Sequence, residues 1–199
     1  MMGMGRYNMR LNINLIALLA IATLTSPSLS AEIKTFIGVD AVEIETVLTA
    51  AGVPRTYDFT GTRVRFGIEN SQGGSAGMEL ISGDSDETFD IPSGTLFRLE
   101  TGETFGLYAT LGKPVYLRVG WSIWQTEYTA IVPAGPTNKE TVNALEIGLG
   151  LNLLLGRNLT LYADWAVRDT DAKYPLYVTG NGEVDYRSEL LSVGLNLKF

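Results

Sequence analysis

Arginines and carboxylates recur along this 199-residue chain beside apolar residues: Arg63, Arg65, Glu69, Glu79, Arg118, Glu146, Asp164 and Arg168. Val64 separates the first two, and Ile147 follows Glu146. Side chains so placed can pair with one another, hold water or pass an ion. Covalent chemistry is harder to build from them, because the chain has no His and no Cys. A Ser-His or Asp-His relay needs a group that takes up and returns a proton near neutral pH, and no imidazole is present. Thiolate chemistry and disulfides are excluded, and a zinc site would have to be carboxylate alone. A Ser-Lys arrangement remains, but no nucleophile motif marks one. The chain is read as non-enzymatic, with no catalytic residue, no cofactor and no metal.

The elements that position these charges show as period-two alternation. In "ALEIGLGLNLL", Leu145, Ile147, Leu149, Leu151 and Leu153 form one face, and Glu146, Gly148, Gly150 and Asn152 the other. The pattern returns at Ile33 to Val39, Val64 to Ile68, Ala76 to Leu80, Phe105 to Leu111, Val115 to Ile123, Leu159 to Val167 and Leu191 to Phe199. That predicts eight strands. One such strand would suit a soluble sandwich equally well; the connections separate the two architectures.

"NSQGG" at 70 to 74, "GKP" at 112 to 114 and "GRN" at 156 to 158 are tight-turn sequences of Gly, Asn and Pro. Between them lie longer polar segments, about 42 to 62, 82 to 103, 129 to 142 and 169 to 185. Short turns thus gather at one rim and long loops at the other, as in transmembrane barrels with short periplasmic turns and longer external loops. Pro54, Pro92, Pro114, Pro133, Pro136 and Pro175 all fall in predicted connections, where no ladder hydrogen bond is lost. The expected fold is all-β: an eight-stranded antiparallel up-and-down transmembrane β-barrel with four long external loops.

The first residues fit an export signal: Arg6 and Arg10, an apolar stretch from Leu11 to Leu24, then "TSPSLSAE". The stretch is short for a spanning helix, and Asn12 and Asn14 interrupt it. Ser28 and Ser30 suit cleavage after Ser30, with cleavage after Ala31 the alternative, so residues 1–30 are read as signal and 31–199 as one barrel domain. Without Arg6 and Arg10 the chain keeps 13 Lys+Arg against 22 Asp+Glu, a net charge of 13 − 22 = −9. That balance argues against nucleic acid as a partner.

With these features the chain resembles the small eight-stranded outer-membrane barrel proteins, the group that includes the OmpA-like transmembrane domain. The resemblance rests on "TRVRFGIEN", "TFGLYATLGKPVYLRVGWS", "ALEIGLGLNLLL", "NLTLYADWAV" and the terminal "LLSVGLNLKF". It implies a bacterial outer-membrane location, a monomer in contact with outer-membrane lipid and lipopolysaccharide, and a last strand read by the barrel assembly machinery. Leu191, Val193, Leu195, Leu197 and Phe199 would carry that assembly signal. With Phe199 as the last residue, the peptidoglycan-binding domain that follows the barrel in some relatives is not expected here.

Alternation aims Lys34, Asp40, Lys198, Tyr108, Tyr116, Tyr162 and Asn152 inward with the eight charges named at the outset. An eight-stranded barrel leaves only enough interior for side chains to fill, so these charges should pair across the lumen. The alternative is a gated, low-conductance path in which Arg118 or Arg168 exchanges between Glu79, Glu146 and Asp164. In the loops, "GDSDETFD" offers Asp84, Asp86, Glu87 and Asp90 as oxygen ligands, although the spacing departs from an EF-hand and a solvated loop accounts for it. Tyr57, Phe59, Phe89, Tyr174, Tyr177 and Tyr186 lie in or beside the predicted loops, where they brace the outer rim or meet an external ligand.

Overall fold

In the computed structural model the described residues are 32–50, 53–83, 85–90, 96–135, 137–170, 174–176 and 182–199. The signal segment, Asp84 and Tyr177 lie outside them. Among the described residues ten strands are formed: β1 Ile33–Ala50, β2 Val53–Asn70, β3 Ser75–Ser82, β4 Ser85–Asp90, β5 Leu96–Leu111, β6 Val115–Val132, β7 Thr137–Leu154, β8 Leu159–Asp169, β9 Tyr174–Leu176 and β10 Gly182–Lys198. They make eight staves, because β4 pairs with β5 and prolongs the stave of β3, while β9 pairs with β10 and prolongs that of β8. Every neighbouring pair is antiparallel, and β1 closes on β10 from Phe36 opposite Lys198 to Ala50 opposite Val184.

The register fixes the dimensions. A path across the sheet from Phe36 runs through Gly67, Gly77, Tyr108, Gly120, Glu146, Arg168 and Ser188, and re-enters β1 at Thr46. The shear is therefore ten residues over eight staves. With ordinary strand spacing and rise, that gives a tilt of about 40° and a radius of about 8 Å. An 18-residue strand such as β1, β2, β6 or β7 then rises about 45 Å, against an apolar band of about 25 Å. The staves outrun the membrane.

Side-chain parity shows where they leave it. Low on β1, Ile33 and Val39 point outward and are exposed. Higher up, Val42 and Ile44 are buried inside while Glu43 and Glu45 face out. The same inversion separates outward Leu191 from inward Leu190 with Glu189 outside, and outward Leu149 from inward Val142 and Ala144. Outside, the strands exchange hydrocarbon for water; inside, they exchange a polar lumen for an apolar core. On β1 and β10 the inversion needs no bulge, since the register is unbroken there.

This inversion corrects the expected loops. Strands β1 and β2 occupy all of 42 to 62 except 51–52, β6 and β7 reduce 129–142 to a connection at 133–136, and 82–103 and 169–185 contain β4, β9 and parts of β5 and β10. On β1, β7 and β10 the reading of outward apolar alternation stops short because Val42, Ile44, Val142 and Leu190 point inward. Pro54 and Pro175 likewise stand in strands rather than connections. Tyr57 is buried inside the barrel and Phe59 packs on the inner cluster of Val42, Ile44, Ile81 and Leu190, so neither braces an outer rim. Phe89 falls on β4, Tyr174 on β9 and Tyr186 on β10.

The three short turns do stand at the opposite rim. Asn70 Oδ1 accepts from the backbone N–H groups of Gln72 and Gly74 at 3.0 and 2.9 Å, and Gly73 takes the positive φ of 88° that closes the reversal.

Candidate functional site in the barrel lumen

Closing alternating strands into a narrow cylinder brings side chains distant in sequence into one layer. Arg63 Nε donates to both oxygens of Asp40 at 3.0 Å. Its Nη2 donates to Asp164 at 3.0 and 2.9 Å and to Ser192 Oγ at 2.6 Å. Ser192 in turn donates to Asp164 at 3.1 Å, and Tyr162 donates its hydroxyl proton to Asp40. Arg65 reaches Asp164 at 3.4 Å and lies over the Tyr162 ring, 3.5 Å from its centroid.

A second cluster abuts the first. Arg118 Nε donates to Glu146 at 2.5 Å, and its Nη2 donates to both Glu79 oxygens at 2.7 Å. Arg168 Nε donates to the other Glu146 oxygen at 2.9 Å. Arg63 Nη1, 3.5 Å from Glu79, joins the two clusters. Four guanidinium groups thus meet four carboxylates, Asp40, Glu79, Glu146 and Asp164, all nearly inaccessible to solvent. Charges removed from water to this degree are tolerated when paired and hydrogen-bonded on several sides.

Seven of the eight predicted lumen charges share this layer. Glu69 stands apart at the short-turn end, where it accepts from Lys198 at 2.8 Å and Lys113 at 3.4 Å. There a cavity of about 280 Å³ opens among Lys34, Lys113, Arg157 and Lys198. Asp164 serves Arg63 and Arg65 by hydrogen bonds, whereas Arg118 bonds to Glu79 and Glu146. Sequence reading overlooked Ser192, whose only signal is its place between Leu191 and Val193 on the inward parity of β10. Leu191, Val193, Leu195, Leu197 and Phe199 all point outward and are exposed.

Small residues make room for the large ones. A Cβ on Gly150 would fall 2.1 Å from the Tyr116 ring, which lies across β7 at that point. Gly150→Val is therefore expected to displace Tyr116 and lower stability by about 1–3 kcal/mol, measured by urea unfolding in lipid vesicles. Gly156, with open space around its Cβ position, is the control: Gly156→Ala should change little.

This arrangement binds itself. Its carboxylates are used by arginines, and among the described residues no three Asp or Glu converge as a metal site. The acidic stretch at 84–90 falls on β4 apart from Asp84, which is not among the described residues.

No family model and no curated protein matches this chain. Solved structures do. Ail, the attachment invasion locus protein of Yersinia pestis, is similar over 83% of this chain and 99% of its own, with a TM-score of 0.53 and 12% identity. Neisserial surface protein A aligns over 82% of this chain and 97% of its own at 16% identity and TM-score 0.49. OprG of Pseudomonas aeruginosa aligns over 83% and 96% at 12% identity and TM-score 0.49. The fold is that of the small eight-stranded outer-membrane β-barrels, with a closed antiparallel sheet and a lipid-facing girdle.

Proposed function

We propose that this chain is a monomeric, non-enzymatic outer-membrane barrel with a structural or surface-interaction role. One observation carries the reading: the lumen is filled by its own charges while the staves continue beyond the apolar band as an exposed wall. Among the described residues paired charges occupy the centre, and a partner has a rigid surface outside.

The wall has a sign. Asp58, Glu45 and Glu189 stand directly opposite one another across β2, β1 and β10, with Glu43 nearby and Asp169 facing Arg187, all exposed. The Ail structure holds sucrose octasulfate, a heparin analogue. Such a polyanion suits this wall poorly. A cationic partner, or lipopolysaccharide phosphates bridged through divalent ions, matches it better. Outward Leu191, Val193, Leu195, Leu197 and Phe199 are assigned to the assembly machinery's signal.

Excising residues 43–60 from the β1–β2 hairpin, which removes Glu43, Glu45 and Asp58 from the wall, tests the reading. Cells carrying the shortened barrel should insert it normally, judged by heat-dependent gel mobility, and lose any attachment or ligand phenotype of the full chain. Loss of insertion would count against a separable surface role.

A second reading, a low-conductance pore, draws support from one distance. Arg168 Nη2 lies 4.0 Å from Glu79 while its Nε is held by Glu146, so a short movement exchanges partners. Reproducible small steps in planar bilayers, altered by Glu146→Ala, would favour it; a silent bilayer containing folded barrel would exclude it.

A further inference from the structure

We propose that the external end of the lumen is a binding site for a slender carboxylate with an apolar tail. Above the charged layer the inner wall becomes mainly apolar: Ile44, Tyr57, Phe59, Leu99 and Trp124 line a cavity with Arg168 and four Ser and Thr residues. Arg168 is 3% exposed, and its Nη2 has no hydrogen-bond partner. The Glu79 oxygen at 4.0 Å is beyond hydrogen-bond reach, and Nε is occupied by Glu146. A buried guanidinium with an unused N–H, in the wall of a mainly apolar cavity, calls for an acceptor carried on an apolar body.

The ligand's head and shape follow from the lining. A carboxylate accepts a stronger, charge-assisted bond from a guanidinium than a neutral hydroxyl does. The tail would lie against Ile44, Phe59 and Leu99, beside the Trp124 ring, whose centroid is 5.7 Å from the Arg168 guanidinium carbon. The cavity, about 20 Å³, has room for one water-sized group as it stands. An unbranched chain therefore enters by swinging the Trp124 or Phe59 ring, and binding must alter the surroundings of Trp124.

The chain has three tryptophans, so Trp121→Phe with Trp165→Phe leaves Trp124 as the sole reporter. Folded barrel in lipid nanodiscs is titrated with hexanoate and, separately, with 1-hexanol, using empty nanodiscs as the partition blank. Hexanoate should change Trp124 emission saturably and bind at least tenfold more tightly than hexanol; Arg168→Gln should weaken it about tenfold. Because Arg168 also belongs to the charged layer, Thr104→Met provides a second variant. Thr104 lines the cavity and is buried, so the longer side chain should fill the space and abolish the signal. A non-saturable response, equal affinity for hexanol, or unchanged binding in either variant overturns the site. The surface-interaction reading is independent of this result, since its readout is attachment after hairpin excision.

Discussion

Arg118→Met is expected to destabilise the barrel by about 3–5 kcal/mol, the cost typical of removing one partner from a buried ion pair. Arg118 is fully buried and supplies three hydrogen bonds to Glu79 and Glu146. Its loss leaves three guanidinium groups facing four carboxylates where water does not reach. Methionine fills much of the arginine stem's volume, so the penalty reports charge more than cavity. Urea unfolding in lipid vesicles measures it. The double variant Arg118→Met with Glu79→Gln restores neutrality and leaves Glu146 to Arg168, and it should recover more than half of the loss. A double variant as unstable as the sum of its singles would show that Arg118 acts through packing rather than charge compensation.

Within the membrane the fold was legible because each residue answers two solvents at once. Leu145, Ile147, Leu149, Leu151 and Leu153 meet lipid while Glu146 meets arginines, and sequence separates these faces at period two. Inward parity alone identified Arg63, Arg65, Glu79, Arg118, Glu146, Asp164 and Arg168. Their pairing was not legible, because partners are set by register and by a shear of ten. Asp164 is carried to Arg63, 101 positions away, by the closing of the sheet. The upper staves were missed for a different reason. "VEIE" at 42 to 45 is an ordinary alternating segment, but its apolar residues occupy the opposite parity from Ile33, Ile37 and Val39. Read as a continuation of the lipid face it looks like the end of a strand, whereas it marks the strand's passage into water.

That passage can be located by charge. From Arg187 to the end of β10 the outward residues are Arg187, Glu189, Leu191, Val193, Leu195, Leu197 and, just beyond the strand, Phe199. At the tilt deduced from the shear, successive outward positions rise about 5 Å. Leu195 thus sits near the middle of the band, and Leu191 near its external edge. Leu195→Arg should cost about 2–4 kcal/mol of folding free energy in vesicles, and Leu191→Arg about 0–1 kcal/mol. Glu189→Arg, already in water, should cost nothing comparable and relieves the facing acids Glu45 and Glu189 of their repulsion. A soluble sandwich would bury Leu191 and Leu195 together in its core, so both Leu→Arg substitutions would be severe, without a graded decay toward Leu191. A maximum at Leu195 that decays by Leu191 would place the external membrane boundary at the parity inversion. The wall bearing Glu43, Glu45 and Asp58 then stands clear of the bilayer, where a partner can reach it.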